Sequence, residues 1–211
     1  RAVCENLHLK FIAQVRSAGY TCQRVDTLKG SRLAVKGVKI ASYASVVLKL
    51  EKGEPSAKTA FVYDGNKLET AFASVEFDSE GAISSFYDKT ACRELRGEGY
   101  ALNTFLVAED VPTGWDNWDI DADIEMKFEP SAKLLSRKLV DNGPCELRIR
   151  SEYRLTDRSS LVQDMIFFAD SAEVRFETEM DWQDDHRFLK TAFDTDVFSD
   201  FVRQEIQFGY L

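Results

Sequence analysis

The residues best suited to chemistry lie between Glu109 and Asp123. This stretch holds two of the three tryptophans, Trp115 and Trp118, and five aspartates: Asp110, Asp116, Asp119, Asp121 and Asp123. Three chemistries fit. The first is calcium, because alternate oxygens at Asp119, Asp121 and Asp123 match the opening of an EF-hand loop. The rest of that loop fails: position six is Ile124 rather than Gly, and position twelve is Pro130 rather than Glu. The second is a glycosidase pair. On a strand, Asp119 and Asp121 would share a face roughly 6.6 Å apart, within the ~5–9 Å that sugar hydrolases place between carboxyls. Any Asp-x-Asp strand gives that spacing. The third is a sugar-contacting loop, in which the indole stacks on the apolar sugar face and carboxylates accept from hydroxyls. The plain structural alternative is an acid-solvated loop whose tryptophans plug the edge of a β-sandwich.

A second segment, Asp181-Trp182-Gln183-Asp184-Asp185-His186-Arg187, reads as a charged turn between strands. His186 and His8 are the two histidines of the chain, which excludes a His-rich metal site and leaves little for a mutarotase-like acid/base pair. No Gly-x-Ser-x-Gly elbow, phosphate loop or dinucleotide fingerprint occurs. Cys4, Cys22, Cys92 and Cys145 form no Cys-x-x-Cys pair, so they read as free thiols rather than as zinc ligands.

The elements that must carry these segments are strands. From Glu146 to Leu155, Leu147, Ile149, Tyr153 and Leu155 alternate with Glu146, Arg148, Arg150, Glu152 and Arg154. Side chains alternate across a pleat, so this pattern predicts one buried face and one wet face. Glu173 to Trp182 alternates in the same way, and Leu161 to Phe168 reads as a strand buried on both sides. Turns are expected at Glu51–Pro55, Asp64–Asn66, Asp78–Gly81 and Asp141–Pro144. The prediction is one antiparallel all-β body closed as a sandwich. Residues 1–66 form a leading β segment and 67–211 the main sandwich.

The chain has 211 residues and a formal charge of −9. Nucleic-acid binding needs clustered Lys and Arg; the nearest block, Ser136-Arg137-Lys138, reads as a solvated strand edge. No apolar run approaches a membrane span. The acidic charge, free thiols and absence of Asn-x-Ser/Thr sequons favour the cytoplasm. The chain starts at Arg1 rather than Met and ends in a strand-like stretch, so it is expected to be a piece of a longer polypeptide.

Four stretches resemble the C-terminal β region of the family 38 glycoside hydrolases, the α-mannosidases. Lys67-Leu68-Glu69, followed by Val75 to Lys89, is similar to a Leu-Glu-Asn that leads into Phe-Asp-x-x-Gly-x-Ile-x-Ser and Asp-Lys; Thr70 stands at the Asn. Trp115 to Asp121 resembles a Trp-Asp-Ala-Trp-Asp-Ile-Asp loop, with Asn117 at the Ala. Trp182 to Phe193 resembles Trp-x-x-x-His-x-x-Leu-Lys-x-x-Phe, and Glu205 to Gly209 matches a fourth stretch. Ser17 to Tyr20 is similar to the step into the first β unit.

The resemblance implies an antiparallel supersandwich like that of galactose mutarotase, here a fragment of a larger β region. It implies a parent that hydrolyses α-mannosides with retention. The zinc ligands and the aspartate nucleophile of that family lie in an N-terminal domain whose motifs are absent here. No catalytic residue, metal or cofactor is therefore assigned to this chain, zinc belongs to the parent's catalytic domain, and the isolated chain is expected to be inactive. Trp118, then Asp116, Asp119 and Trp115, are the substrate-cleft candidates. The implied partners are the α-mannoside substrate, the parent's own catalytic domain and, through sheets cut short at apolar edges, a second copy of the chain. The alternative is a stand-alone carbohydrate-binding module.

Overall fold

The structure is a computed structural model that describes residues 2–4, 15–17, 19–53, 58–116 and 118–210. His8, Asn117 and the Glu54-Pro55 half of the first expected turn lie outside the described residues. In chain order the strands are β1 (Ala2–Cys4), β2 (Val15–Ser17), β3 (Thr21–Thr27), β4 (Gly30–Lys36), β5 (Leu50–Lys52), β6 (Val62–Tyr63), β7 (Lys67–Glu69), β8 (Ala73–Phe77), β9 (Ile83–Asp88) and β10 (Arg93–Glu94). There follow β11 (Thr104–Glu109), β12 (Glu129–Pro130), β13 (Lys133–Asn142), β14 (Glu146–Arg154), β15 (Ser160–Phe168), β16 (Val174–Asp181), β17 (Arg187–Ala192), β18 (Glu205–Ile206) and β19 (Gly209–Tyr210). The described strand pairs are all antiparallel, and the helical content among the described residues is one 3-10 turn at Ala122–Met126.

Two sheets face each other. One has the order β10-β9-β8-β7-β6; the other has the order β13-β14-β15-β16. The even alternation of their apolar residues builds the core between them. Leu68, Val75, Phe77 and Ile83 from the first sheet meet Leu147, Ile149, Met165 and Phe167 from the second. Phe77 and Phe167 pack edge to face, with centroids 6.3 Å apart. A third sheet, β12-β11-β17, continues the first layer through bridges at Ile83–Leu102 and Arg96–Thr195. It brings Phe105 onto Tyr153, Leu155 and Leu161. Val62–Tyr63 pairs with Lys67–Glu69 and Phe61 joins the core, so the first sheet draws on residues on both sides of position 66.

The turns at Asp64–Asn66, Asp78–Gly81 and Asp141–Pro144 form where expected. Asp78 Oδ1 accepts the Glu80 and Ala82 N–H groups, at 3.0 and 2.9 Å. Gly81 sits at φ +84, and a Cβ there would lie 2.5 Å from the Tyr153 hydroxyl oxygen, so this turn needs glycine twice over.

The expected wet face of β14 is wet only towards its end, where Arg154 is exposed; its first half is buried. A third layer, the β1-β4-β3 sheet, covers it. Arg148 and Asp164 are both fully buried and Glu146 is nearly so. The Arg148 guanidinium binds Asp164 at 2.8 Å, Glu177 at 2.7 Å and Glu146 at 3.0 Å. Arg150 adds a two-pronged contact to Asp164, at 2.7 and 2.8 Å. Arg32, from the covering layer, reaches Glu177 at 3.3 Å. Burial alone would lower the Arg148 pKa, but its bonds to Glu177 and Asp164 raise it overall, and Arg148 in turn holds Glu177 low against burial. Gln23 clamps the layers: its amide donates to Glu146 O and accepts from the Cys145 and Glu146 N–H groups, each at 2.9 Å. The alternation along β14 is real; it carries no sign of the sheet that arrives from far upstream.

Ser136-Arg137-Lys138 does lie on an edge strand. Arg137 also ties that edge to the opposite layer, donating to Gly65 O at 2.9 Å and stacking over Phe77 at 5.2 Å. Cys92 and Cys145 are free thiols, and burial pushes Cys145 up to about 12.

Candidate functional site: the acidic tryptophan loop

The loop from Asp110 to Asp121 leaves the end of β11, whose ladder with β17 closes at Glu109–Arg187. The turn before β17 occupies the same end. Asp110 N–H donates to His186 O at 2.8 Å, and Asp116 Oδ2 lies 3.8 Å from His186 Nδ1. The two segments of unusual composition are therefore neighbours, joined by one strand ladder.

The loop is held by its own backbone. Trp115 adopts φ 57, and its carbonyl accepts the Trp118 and Asp119 N–H groups at 2.8 and 3.0 Å. Asp121 closes the far end by accepting Thr113 N–H at 3.0 Å and Thr113 Oγ1 at 2.9 Å. Beyond it Ile124 is buried as an anchor, while Lys190 on β17 binds Glu125 and lies 4.7 Å from the centre of the Phe128 ring. Tied at both ends, the loop leaves its indoles outside. Trp115 is 81% exposed and Trp118 is 90% exposed. They do not plug the sandwich edge. Asp116 and Asp119 are exposed beside them.

The other readings of the loop fail on this geometry. Residues 119–121 are not a strand, so Asp119 and Asp121 do not share a strand face. The three alternate aspartates are spent separately: Asp119 accepts Ile120 N–H, Asp121 holds Thr113, and Asp123 pairs with Lys127 at 2.9 Å. Among the described residues no three His, Cys, Asp or Glu gather to hold a metal ion.

Composition gives no hint of a cleft of about 660 Å³ beside the His186 turn, which Asp184 and Arg187 help to line. Asp184 is held below the usual carboxylate range by the Ser159 and Thr156 hydroxyls that bind it. The cleft residues come from separated segments and share no motif, so the fold alone assembles them.

Residues 68–211 match the model of the glycosyl hydrolases family 38 C-terminal domain. The chain belongs to this family. Within it, Alpha-mannosidase 2C1 of Homo sapiens is 30% identical over 145 residues, covering 68% of this chain and 14% of that protein. Alpha-mannosidase 2C1 of Mus musculus is 29% identical over 145 residues, and Alpha-mannosidase G of Dictyostelium discoideum is 29% identical over 151. The chain thus spans about 14% of the length of these relatives. The family 38 match takes in the tryptophan loop, the His186 turn and the closing Glu205–Gly209 stretch; Ser17 to Tyr20 lies before it. Thr70, where the resemblance leads one to expect Asn, is buried and caps the turn into β8, accepting the Phe72 and Ala73 N–H groups at 3.0 and 2.8 Å.

Proposed function

We propose that this chain is the non-catalytic β domain of a retaining α-mannosidase, and that its tryptophan loop shapes one wall of the parent's substrate cleft. One observation carries the reading of the loop. Trp115 and Trp118 project almost wholly into solvent beside exposed carboxylates, although burying them against the sandwich would stabilise it by a few kcal/mol. Two exposed indoles held by a backbone-tied loop suit a ligand with alternating apolar and hydroxyl faces. Trp118 stacks on the sugar, Asp116 and Asp119 accept from its hydroxyls, and Trp115 flanks them. The catalytic groups and their zinc belong to the parent's other domain, and the α-mannoside reaches this loop only in that context.

The test is Trp118→Ala in the full-length parent. The expected result is a fall of about tenfold or more in kcat/KM, equivalent to ~1.4 kcal/mol of transition-state binding. An unchanged kcat/KM makes the loop structural. The same exposed pair also favours a second reading, a carbohydrate-binding module that works alone. That reading requires saturable quenching of tryptophan fluorescence when mannose or a mannoside is titrated into the 211-residue chain. A flat titration removes it and leaves the cleft-wall reading standing.

A further inference from the structure

The cleft beside the His186 turn has an unusual charge arrangement for a chain of net charge −9. Lys133 on β13 and Arg154 on β14 are register partners at the end of their ladder, and both line the cleft. Like charges directly opposite on an antiparallel pair repel. Arg158, from the turn after β14, and Arg187, from the start of β17, add two more guanidinium groups to the same walls. Among the described residues Lys133, Arg154 and Arg187 have no carboxylate within ion-pair distance, although the charges of Arg158 and Arg187 help to lower Asp184 and Arg187 stands opposite Glu109 on the β11–β17 ladder. Arg158 has one distant partner, Asp185 at 3.8 Å, and both are largely exposed.

Carboxylates line the cleft as well, and they are placed differently. Asp184 is already bound by the Thr156 and Ser159 hydroxyls. Glu129 and Asp157 are exposed on the rim segments, with Ser131 between the β12 and β13 walls. A bare anion would meet the four cations but gain nothing from these acceptors. A ligand with an oxyanion at one end and hydroxyls at the other satisfies both sets. The volume is in the range of pockets that hold small organic ligands, about 300–1,000 Å³, and exceeds what one phosphate fills.

We propose that this cleft binds a small phosphomonoester on a hydroxyl-bearing body, the sugar-phosphate class. Lys133, Arg154 and Arg187 take the phosphate, and Glu129 and Asp157 accept from hydroxyls. Guanidinium groups match phosphate oxygens in paired, charge-assisted hydrogen bonds, and the bound dianion removes the repulsion between Lys133 and Arg154. The inference is independent of the mannosidase reading, since it uses neither the tryptophan loop nor any catalytic group.

Isothermal titration of the 211-residue chain with glucose 6-phosphate, inorganic phosphate and glucose tests it. Saturable one-to-one binding of glucose 6-phosphate is expected, with phosphate weaker and glucose weaker still. Arg154→Gln and Arg187→Gln should each weaken glucose 6-phosphate binding about tenfold, as loss of a charge-assisted pair predicts. Both side chains are exposed, so thermal melting should be unchanged. Lys133→Gln, at a third exposed cation, gives an independent check. Absence of saturable binding overturns the proposal. So does binding that survives all three substitutions, or inorganic phosphate binding as tightly as glucose 6-phosphate.

Discussion

The ionic seam under β1-β4-β3 and the tryptophan loop beyond β11 use the same residue types and end in opposite environments. In the seam, three cations (Arg32, Arg148 and Arg150) meet three carboxylates (Glu146, Asp164 and Glu177) in a buried network. In the loop, the carboxylates are spent one at a time on backbone N–H groups, a threonine or a lysine, and the aromatic groups remain in water. The difference lies in what covers each region. A sheet face has a flat area on which another sheet can lie, whereas a loop at the end of a ladder offers none. Charge density in a sequence therefore does not say whether the charges are wet; the arrival of a further layer decides it.

Breaking the seam is expected to have the largest effect. Arg148→Met leaves three buried or half-buried carboxylates without their shared partner and should cost about 3–5 kcal/mol, read by urea denaturation at pH 7. Adding Asp164→Asn should return part of that loss, because a buried negative charge is then removed with its partner. A cost below 1 kcal/mol for Arg148→Met would show that water enters the seam, and the contrast with the loop would shrink accordingly. Gln23→Ala is expected to be milder. It strands the Cys145 and Glu146 N–H groups at the layer boundary, while Glu146 O keeps the Gly143 N–H at 3.2 Å, a loss of about 1–3 kcal/mol by the same measurement.

The seam also makes a pH prediction. Asp141 is a fourth carboxylate at its margin, its Oδ2 accepting Asp26 N–H at 2.6 Å. Burial, partly opposed by that hydrogen bond, raises its pKa from 3.8 to about 6. The folded protein then binds more protons than the unfolded chain between those values. The stabilising contribution is complete below pH 3.8 and is lost as pH rises through about 6. Asp141→Asn keeps the acceptor for Asp26 and discards the charge. It should be more stable than the unsubstituted chain at pH 7.5 and equal to it below pH 4, read as the difference between two urea midpoints. The difference isolates this group from Glu177, Glu94 and Asp184, whose lowered pKa values give the opposite trend. A difference that is flat with pH assigns the effect elsewhere.

Much of this architecture is legible in the sequence. Period-two alternation places the apolar face of β14, and turn residues place three hairpins, because both signals are local. The unusual composition of Glu109–Asp123 marks the loop that the fold leaves exposed. The seam is half legible. Asp164 interrupts the apolar run from Leu161 to Phe168, and a lone acid in a strand buried on both sides demands a cation; Arg148 and Arg150 are the available answers. What local pattern does not supply is the covering layer, since Gln23 and Arg32 lie more than a hundred residues from their partners. The cleft is illegible for the same reason: Lys133 and Arg187 come to line one cleft only through the order of the strands.

The smallest expected effect sharpens the comparison most directly. Trp118→Ala removes one of the loop's two indoles, yet Trp118 is 90% exposed and its backbone N–H, which the substitution keeps, makes the bond to Trp115 O. Its loss should change stability by less than about 0.5 kcal/mol, measured by urea denaturation. A cost above 1 kcal/mol would mean that the indole packs on the sandwich in solution, and the loop would then join the seam as a structural element. A stability unchanged by Trp118→Ala, beside a reduced kcat/KM in the parent, would separate the two regions by role: one set of charges holds layers together, and the other leaves an indole free to meet a ligand.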